Sequence, residues 1–135
     1  MINNRELDLI KAEVFSAKLS NNRLHSSVVN RLIKKALSRV FGSSNVKVKR
    51  PYSYIHIDIL TTRPSNCTCE YLPNRRYFYC SQCNAKRDEI QRTVTDIIKY
   101  IGLYDDLPQA YDEMGDLHPA YIISVYFTDE VTKSR

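Results

Sequence analysis

The chain has no tryptophan and only three glycines, and its three histidines, His25, His56 and His118, are scattered. It carries no Gly-rich phosphate loop, no H-E-x-x-H pair and no Ser/His/Asp order of a hydrolase, so the usual marks of an enzyme are missing. No run approaches the roughly 18 consecutive apolar residues of a membrane span. Met1-Ile-Asn-Asn-Arg-Glu6 lacks the apolar stretch of a secretory signal. These absences lead to the expectation of a non-catalytic, cytoplasmic protein with no membrane contact. Internal repeats and low-complexity segments are also lacking.

What is present suits one small domain. A length of 135 residues with 43% hydrophobic content can fill a modest core. The net charge of +5 conceals an asymmetry: residues 1–50 hold eleven Lys/Arg against three Asp/Glu, whereas residues 94–135 hold three against eight. A basic front and an acidic back imply two surfaces for different partners, or two segments that attract one another.

Residues 4–19 read as an amphipathic helix with Leu7, Ile10, Val14 and Ala17 on one stripe. A second helix starts from a cap at Ser26 or Ser27 and stops at Gly42, with Val29, Leu32, Ile33, Ala36 and Val40 inward. Its other side carries a basic ridge of Arg31, Lys34, Lys35 and Arg39, which is either a binding face or a solvated one. The alternation in Val46–Lys49 and Tyr54–Leu60 predicts a β-hairpin with Ile55, Ile57 and Ile59 buried. His56 and Asp58 then share the opposite face, roughly 6.5 to 7 Å apart. A general base with its orienting carboxylate needs a further group beside them, and the sequence shows none there. A third helix, capped by Asn84, runs to about Ile101. An acidic, Pro/Gly-punctuated connection with Asp105, Asp106, Asp112, Glu113 and Asp116 follows, then a largely buried strand over 120–127 and a frayed tail over 128–135. The expected fold is a small single-domain α+β unit in the order α-α-β-β-(cysteine hairpin)-α-β, spanning 1–135. Its β-hairpin is antiparallel, its helices lie on one face, and residues 62–85 form an insertion.

That insertion holds the strongest chemical signal. Cys67, Cys69, Cys80 and Cys83 follow C-x-C-x10-C-x2-C, two close thiolate pairs at the ends of a short hairpin. Four soft ligands favour zinc or an iron centre over magnesium or calcium, and structural Zn2+ is the leading assignment. Iron–sulfur, disulfides and uncombined thiols are the alternatives. Four cysteines fill a tetrahedron and leave no position for a reacting water, so the site is structural. It encloses Arg75 and Arg76 at a hairpin tip, flanked by Tyr71, Tyr77, Phe78 and Tyr79. Arginine and aromatic side chains serve either nucleic acid or a protein partner, and some of these rings are expected to pack the cysteine unit onto the domain.

The run Ala36-Leu-Ser-Arg-Val-Phe-Gly-Ser-Ser-Asn-Val-Lys-Val48, with Tyr54-Ile-His-Ile-Asp-Ile59 and Tyr111-Asp-Glu-Met-Gly-Asp116, resembles small helix–hairpin–helix–strand accessory domains of phages and mobile elements. Zinc-containing anti-CRISPR inhibitors are among them. The resemblance spans roughly residues 26–61 and 94–126, and in it the cysteine hairpin is an insertion. It implies a protein in the cytoplasm of a bacterial host that binds and inhibits a host protein or nucleoprotein, such as a Cas nuclease. The alternative is a small nucleic-acid-binding protein or regulator that uses Arg31, Lys34, Lys35, Arg39, Lys47, Lys49, Arg75 and Arg76 as one basic surface.

Overall fold

A computed structural model describes residues 4–21, 23–51, 53–69 and 79–129. Helix α1 spans Asn4–Ser20 and turns Leu7, Ile10 and Val14 inward, each almost fully enclosed. Its outer side still carries Leu9, Phe15 and Leu19, which are 65–73% exposed. Helix α2 spans Ser26–Phe41 and encloses Leu32, Ile33, Ala36 and Leu37 completely. Its cap is His25 rather than either expected serine. The His25 ring nitrogen Nδ1 accepts the Ser27 N–H at 3.1 Å, doing what a short hydroxyl or carboxylate oxygen does at most helix starts.

Gly42 ends α2 at φ 91°, a conformation that a side chain resists, and its N–H donates to the Ser38 carbonyl at 2.9 Å. One 3-10 turn, Ser43–Asn45, leads into β1 (Val46–Lys49). Strand β2 (Ile55–Thr61) pairs with it antiparallel, with Val48 opposite Ile57. The isoleucine face is the buried one, as the alternation predicts: Ile55, Ile57 and Ile59 have no exposed surface. Burial of each is worth about 1.5–3 kcal/mol relative to leaving it in water.

Helix α3 runs over Ser81–Tyr100. It begins before the expected Asn84 cap, because Cys80 takes the N-cap position and Cys83 lies in the first turn. Val94, Ile97 and Ile98 form its buried stripe, and Gly102 at φ 86° ends it near the predicted place. A 3-10 turn, Tyr104–Asp106, follows. The acidic stretch, read from sequence as a plain connection, holds a small antiparallel hairpin of β3 (Gln109–Tyr111) and β4 (Leu117–Pro119). Its turn forms because Asp112 Oδ1 accepts the N–H groups of Met114 and Asp116, each at 2.9 Å, while Gly115 adopts φ 82°.

Strand β5 (Tyr121–Phe127) pairs with β2 in parallel, Ile57 opposite Ile123, so the main sheet is mixed in the order β1-β2-β5. A parallel pair needs a crossover, and α3 lies within it. The expectation of a largely buried β5 is corrected. Val125 and Phe127 are enclosed, but Ile122 and Tyr126 are 48% and 41% exposed. The described helices pack on one face of the sheet, and alternation turns every second residue of β5 away from them. The result is a small α+β domain, with α1, α2 and α3 as the α-helices among the described residues. None of the described helices is long and apolar enough to cross a membrane.

Candidate metal centre

Two turns of chain bring the four cysteines together. The Cys67 N–H donates to the Pro64 carbonyl at 3.1 Å, which bends the segment after β2 so that Cys67 and Cys69 point to one place. Cys80 and Cys83 come from the N-terminus of α3, where three-residue spacing on a helix sets two side chains on one side. The sulfurs meet with Cys67–Cys83 at 3.4 Å, Cys69–Cys83 at 3.6 Å and Cys67–Cys80 at 4.0 Å, and all four lie within 4.8 Å of one another. A tetrahedron with metal–sulfur bonds of about 2.3 Å has edges of about 3.8 Å. A disulfide needs about 2.05 Å, and none of the four cysteines is in one. Three of the thiols are buried; Cys67 is half-buried.

The surroundings suit concentrated negative charge. The Cys80 N–H donates to Cys69 Sγ at 3.2 Å, the Thr68 N–H to Cys80 Sγ at 3.3 Å, and the Cys69 N–H to Cys67 Sγ at 3.5 Å. The positive end of the α3 dipole points at the cluster. Arg63 Nη1 reaches Cys69 Sγ at 3.2 Å and Cys83 Sγ at 3.6 Å, while its Nε is held by both oxygens of Asp129 at 2.9 and 3.0 Å. These contacts divide the thiols into two kinds. Burial opposes ionisation of Cys80, yet the N–H groups of Thr68 and Cys83 outweigh it and hold the thiol at about 5. The Cys69 N–H likewise lowers Cys67. Burial pushes Cys69 and Cys83 up. The cluster thus holds protons that a metal ion would displace.

The centre is fastened to the domain through β5. Phe127 is fully enclosed beneath the cysteines, Tyr79 meets it edge-on at 5.6 Å, and the guanidinium groups of Arg63 and Arg87 lie over these rings at 4.8 Å (Phe127) and 4.6 Å (Tyr79). Tyr79, expected on the contact surface, therefore packs the cysteine unit onto the sheet. Arg75, Arg76 and Tyr77, with Tyr71 and Phe78, lie outside the described residues. Of the expected frayed tail, Asp129 is tied to Arg63, and residues 130–135 also lie outside. Arg63 and Asp129 were not legible as site residues, since they stand 66 positions apart and neither carries a motif.

The other expected sites are redistributed. Arg31 and Lys35 face Glu13 of α1, at 3.9 and 3.2 Å, whereas Lys34 and Arg39 stand exposed on α2. Lys47 and Lys49 alternate with the inward Val46 and Val48, so they leave the sheet on the side opposite α2. Lys49 lies 3.8 Å from Asp58. The basic residues within the described part therefore do not form one surface. The acidic residues separate too. Asp106 pairs with Lys18 of α1 at 2.6 Å, joining the basic front to the acidic back. Asp112 builds the β3–β4 turn, Asp116 closes that turn through its backbone, and Asp105 and Glu113 are exposed.

The parallel pairing also supplies a group that the sequence hid. Ser124 lies opposite Asp58, and its hydroxyl is 2.9 Å from His56 Nε2. Asp58 Oδ1 is 3.0 Å from the same nitrogen. A catalytic relay needs serine and carboxylate on different ring nitrogens. Here both crowd one nitrogen on an open sheet face, and the cluster reads as a polar cross-strand contact. No protein-family model, curated protein or solved structure matches this chain, so its own geometry carries the functional reading.

Proposed function

We propose that the four cysteines hold one structural Zn2+ and that the protein is a non-catalytic binding module whose zinc staple presents the segment 70–78 to a protein partner. The observation that carries the reading is the convergence of four sulfurs on one point, at the spacing of a single four-coordinate ion. A multi-iron cluster would lie between the sulfurs and hold them farther apart. With four thiolates bound, zinc has no open position for water, so its chemistry here is to fix the chain and not to activate a substrate. The segment between Cys69 and Cys80 is then held at both ends, which lowers the entropy lost when Arg75, Arg76 and Tyr77 engage a partner.

A protein partner is favoured over bare nucleic acid by the split of the basic residues. Nucleic acid binds through a continuous field along its phosphates. Here Glu13 offsets part of the α2 ridge, and Lys47 and Lys49 leave the other side of the sheet. The exposed Leu9, Phe15 and Leu19 of α1 add apolar surface suited to a protein contact. Given the resemblance to mobile-element accessory domains, the partner class proposed is a host protein or nucleoprotein, such as a Cas nuclease, inhibited by direct binding.

The test is capture by the tagged protein from a bacterial lysate, with and without nuclease treatment. The reading expects a discrete partner that survives nuclease and is lost with the Arg75→Ala/Arg76→Ala double variant, whose metal content and melting temperature stay unchanged. Capture that vanishes with nuclease, and a steep salt dependence of binding to free DNA or RNA, would overturn it in favour of nucleic acid.

A further inference from the structure

The β3–β4 hairpin stands apart from both apolar clusters of the domain. Every residue from Gln109 to His118 is exposed, and none of them belongs to either cluster. A two-stranded hairpin on its own is marginal in water. This one is set by the Asp112 turn at its tip and, at its base, by the Ala120 N–H donating to the Pro108 carbonyl at 2.6 Å. The register puts Tyr111 opposite Leu117, so the two side chains stand beside each other on one face. Met114 lies in the turn that joins the strands. Tyr111, Met114 and Leu117 are 74%, 85% and 55% exposed, a grouping of large apolar side chains of the kind that marks a protein contact. The same segment carries Asp112, Glu113 and Asp116 and neither lysine nor arginine.

A surface of the opposite charge lies elsewhere on the chain. Between α1 and α2 runs a groove of about 300 Å3, with Leu9 and Ile10 as its apolar lining, Lys35 and Arg39 on the α2 side, and Glu6 and Glu13 on the α1 side. Arg31, Lys35 and Arg39 follow one another at four-residue steps along α2, and the exposed Lys34 stands next to them in sequence. Glu13 is engaged by Arg31 and Lys35, and Arg39 has no ion-pair partner among the described residues. Four cations against Glu6 and Glu13 leave the groove positive, whereas the hairpin has three carboxylates and no Lys or Arg. Within one chain the two surfaces are separate: the hairpin starts beside the first turn of α2, and Arg39 lies in its last turn. The attraction is already used once inside the fold, where Lys18 pairs with Asp106.

We infer that the chain self-associates, the β3–β4 hairpin of one copy docking through Tyr111, Met114 and Leu117 on the α1–α2 groove of a second copy, with Glu113 and Asp116 facing Lys35 and Arg39. Two different patches meet, so the contact closes into a dimer when each copy gives its hairpin to the other's groove. A turn fixed before contact reduces the ordering cost of docking. The contact uses neither the metal centre nor the segment 70–78.

The experiment is sedimentation velocity of the metal-loaded full chain over a wide range of concentration, at low and at high salt. Reversible association is expected, weaker at high salt because the charged rim is screened. Met114→Asp and Arg39→Glu are each expected to weaken it roughly tenfold or more. Their melting temperatures should match the parent, since both side chains are exposed. Glu113→Lys should weaken it as well, and combining Glu113→Lys with Arg39→Glu in one chain should restore most of the loss, because each reversed charge then meets the other. A chain that stays monomeric at every concentration overturns the inference. So does association that Met114→Asp and Arg39→Glu leave unchanged while Phe15→Glu abolishes it, which would place the contact on the outer side of α1. Failure of the charge exchange to restore association overturns the pairing of hairpin with groove.

Discussion

Arg63 is the side chain on which the chemistry of the cysteine cluster and the packing of the domain meet. One edge of its guanidinium faces two thiols, the other is gripped by Asp129, and its plane lies over Phe127. Groups that hydrogen-bond to metal ligands commonly tune affinity by 10- to 100-fold. Arg63→Met, which keeps much of the apolar stem, is therefore expected to weaken zinc binding by about that factor in a competition titration against a chelator while the ion still binds. Cys80→Ser removes a ligand outright and is expected to lower stability by several kcal/mol or to prevent folding, read as the denaturation midpoint. An Arg63→Met variant with parental zinc affinity would show that the arginine only packs. The sequence disclosed the four ligands because their spacing is local. Arg63 and Asp129 meet only through tertiary folding, and no local pattern marks either.

Among the elements, helices and strands with a single buried face were legible, and those shaped by distant pairing were not. The isoleucines of β2 and the stripe of α3 declare their inward sides through periodicity. The start of α3 was misplaced because Asn84 is a favourable cap, yet drawing Cys80 and Cys83 into the cluster sets the helix start earlier. Strand β5 was read as buried because its run is apolar throughout, whereas among the described residues no helix covers the face that carries Ile122 and Tyr126. The β3–β4 hairpin depends on one carboxylate. The Asp116 N–H, opposed by burial and helped by His118 and the N–H groups of Met114 and Gly115, holds Asp112 below the usual carboxylate range. A depressed folded-state pKa contributes stability that is present above the unfolded value of about 3.9 and is lost as pH falls through the folded value. Amide exchange at Met114 and Asp116 is thus expected to stay protected near neutrality and to lose protection in that acid window. Asp112→Ala should abolish both the protection and its pH dependence; unchanged protection would show that the turn stands without the carboxylate.

For the whole molecule, the division of labour is between a core of α1, α2, α3 and the main sheet, and a cysteine unit seated on Phe127 at the end of β5. Lys18 and Asp106 join the basic front to the acidic back, so part of the charge asymmetry is spent inside the fold. That is also why a single basic surface, plausible from composition, does not assemble among the described residues: residues close in charge pattern are set on different sides by the alternation of β1 and the packing of α2. The cysteine unit is expected to be the part that depends on metal, because the main core has its own apolar filling. The most direct test of the account is native mass spectrometry of the purified chain, repeated after a strong chelator. One zinc ion per folded chain is predicted, lost on chelation together with a fall in melting temperature and with all four thiols becoming reactive to alkylation. A folded chain that carries no zinc, keeps its melting temperature in chelator and exposes the same thiols before and after would contradict it.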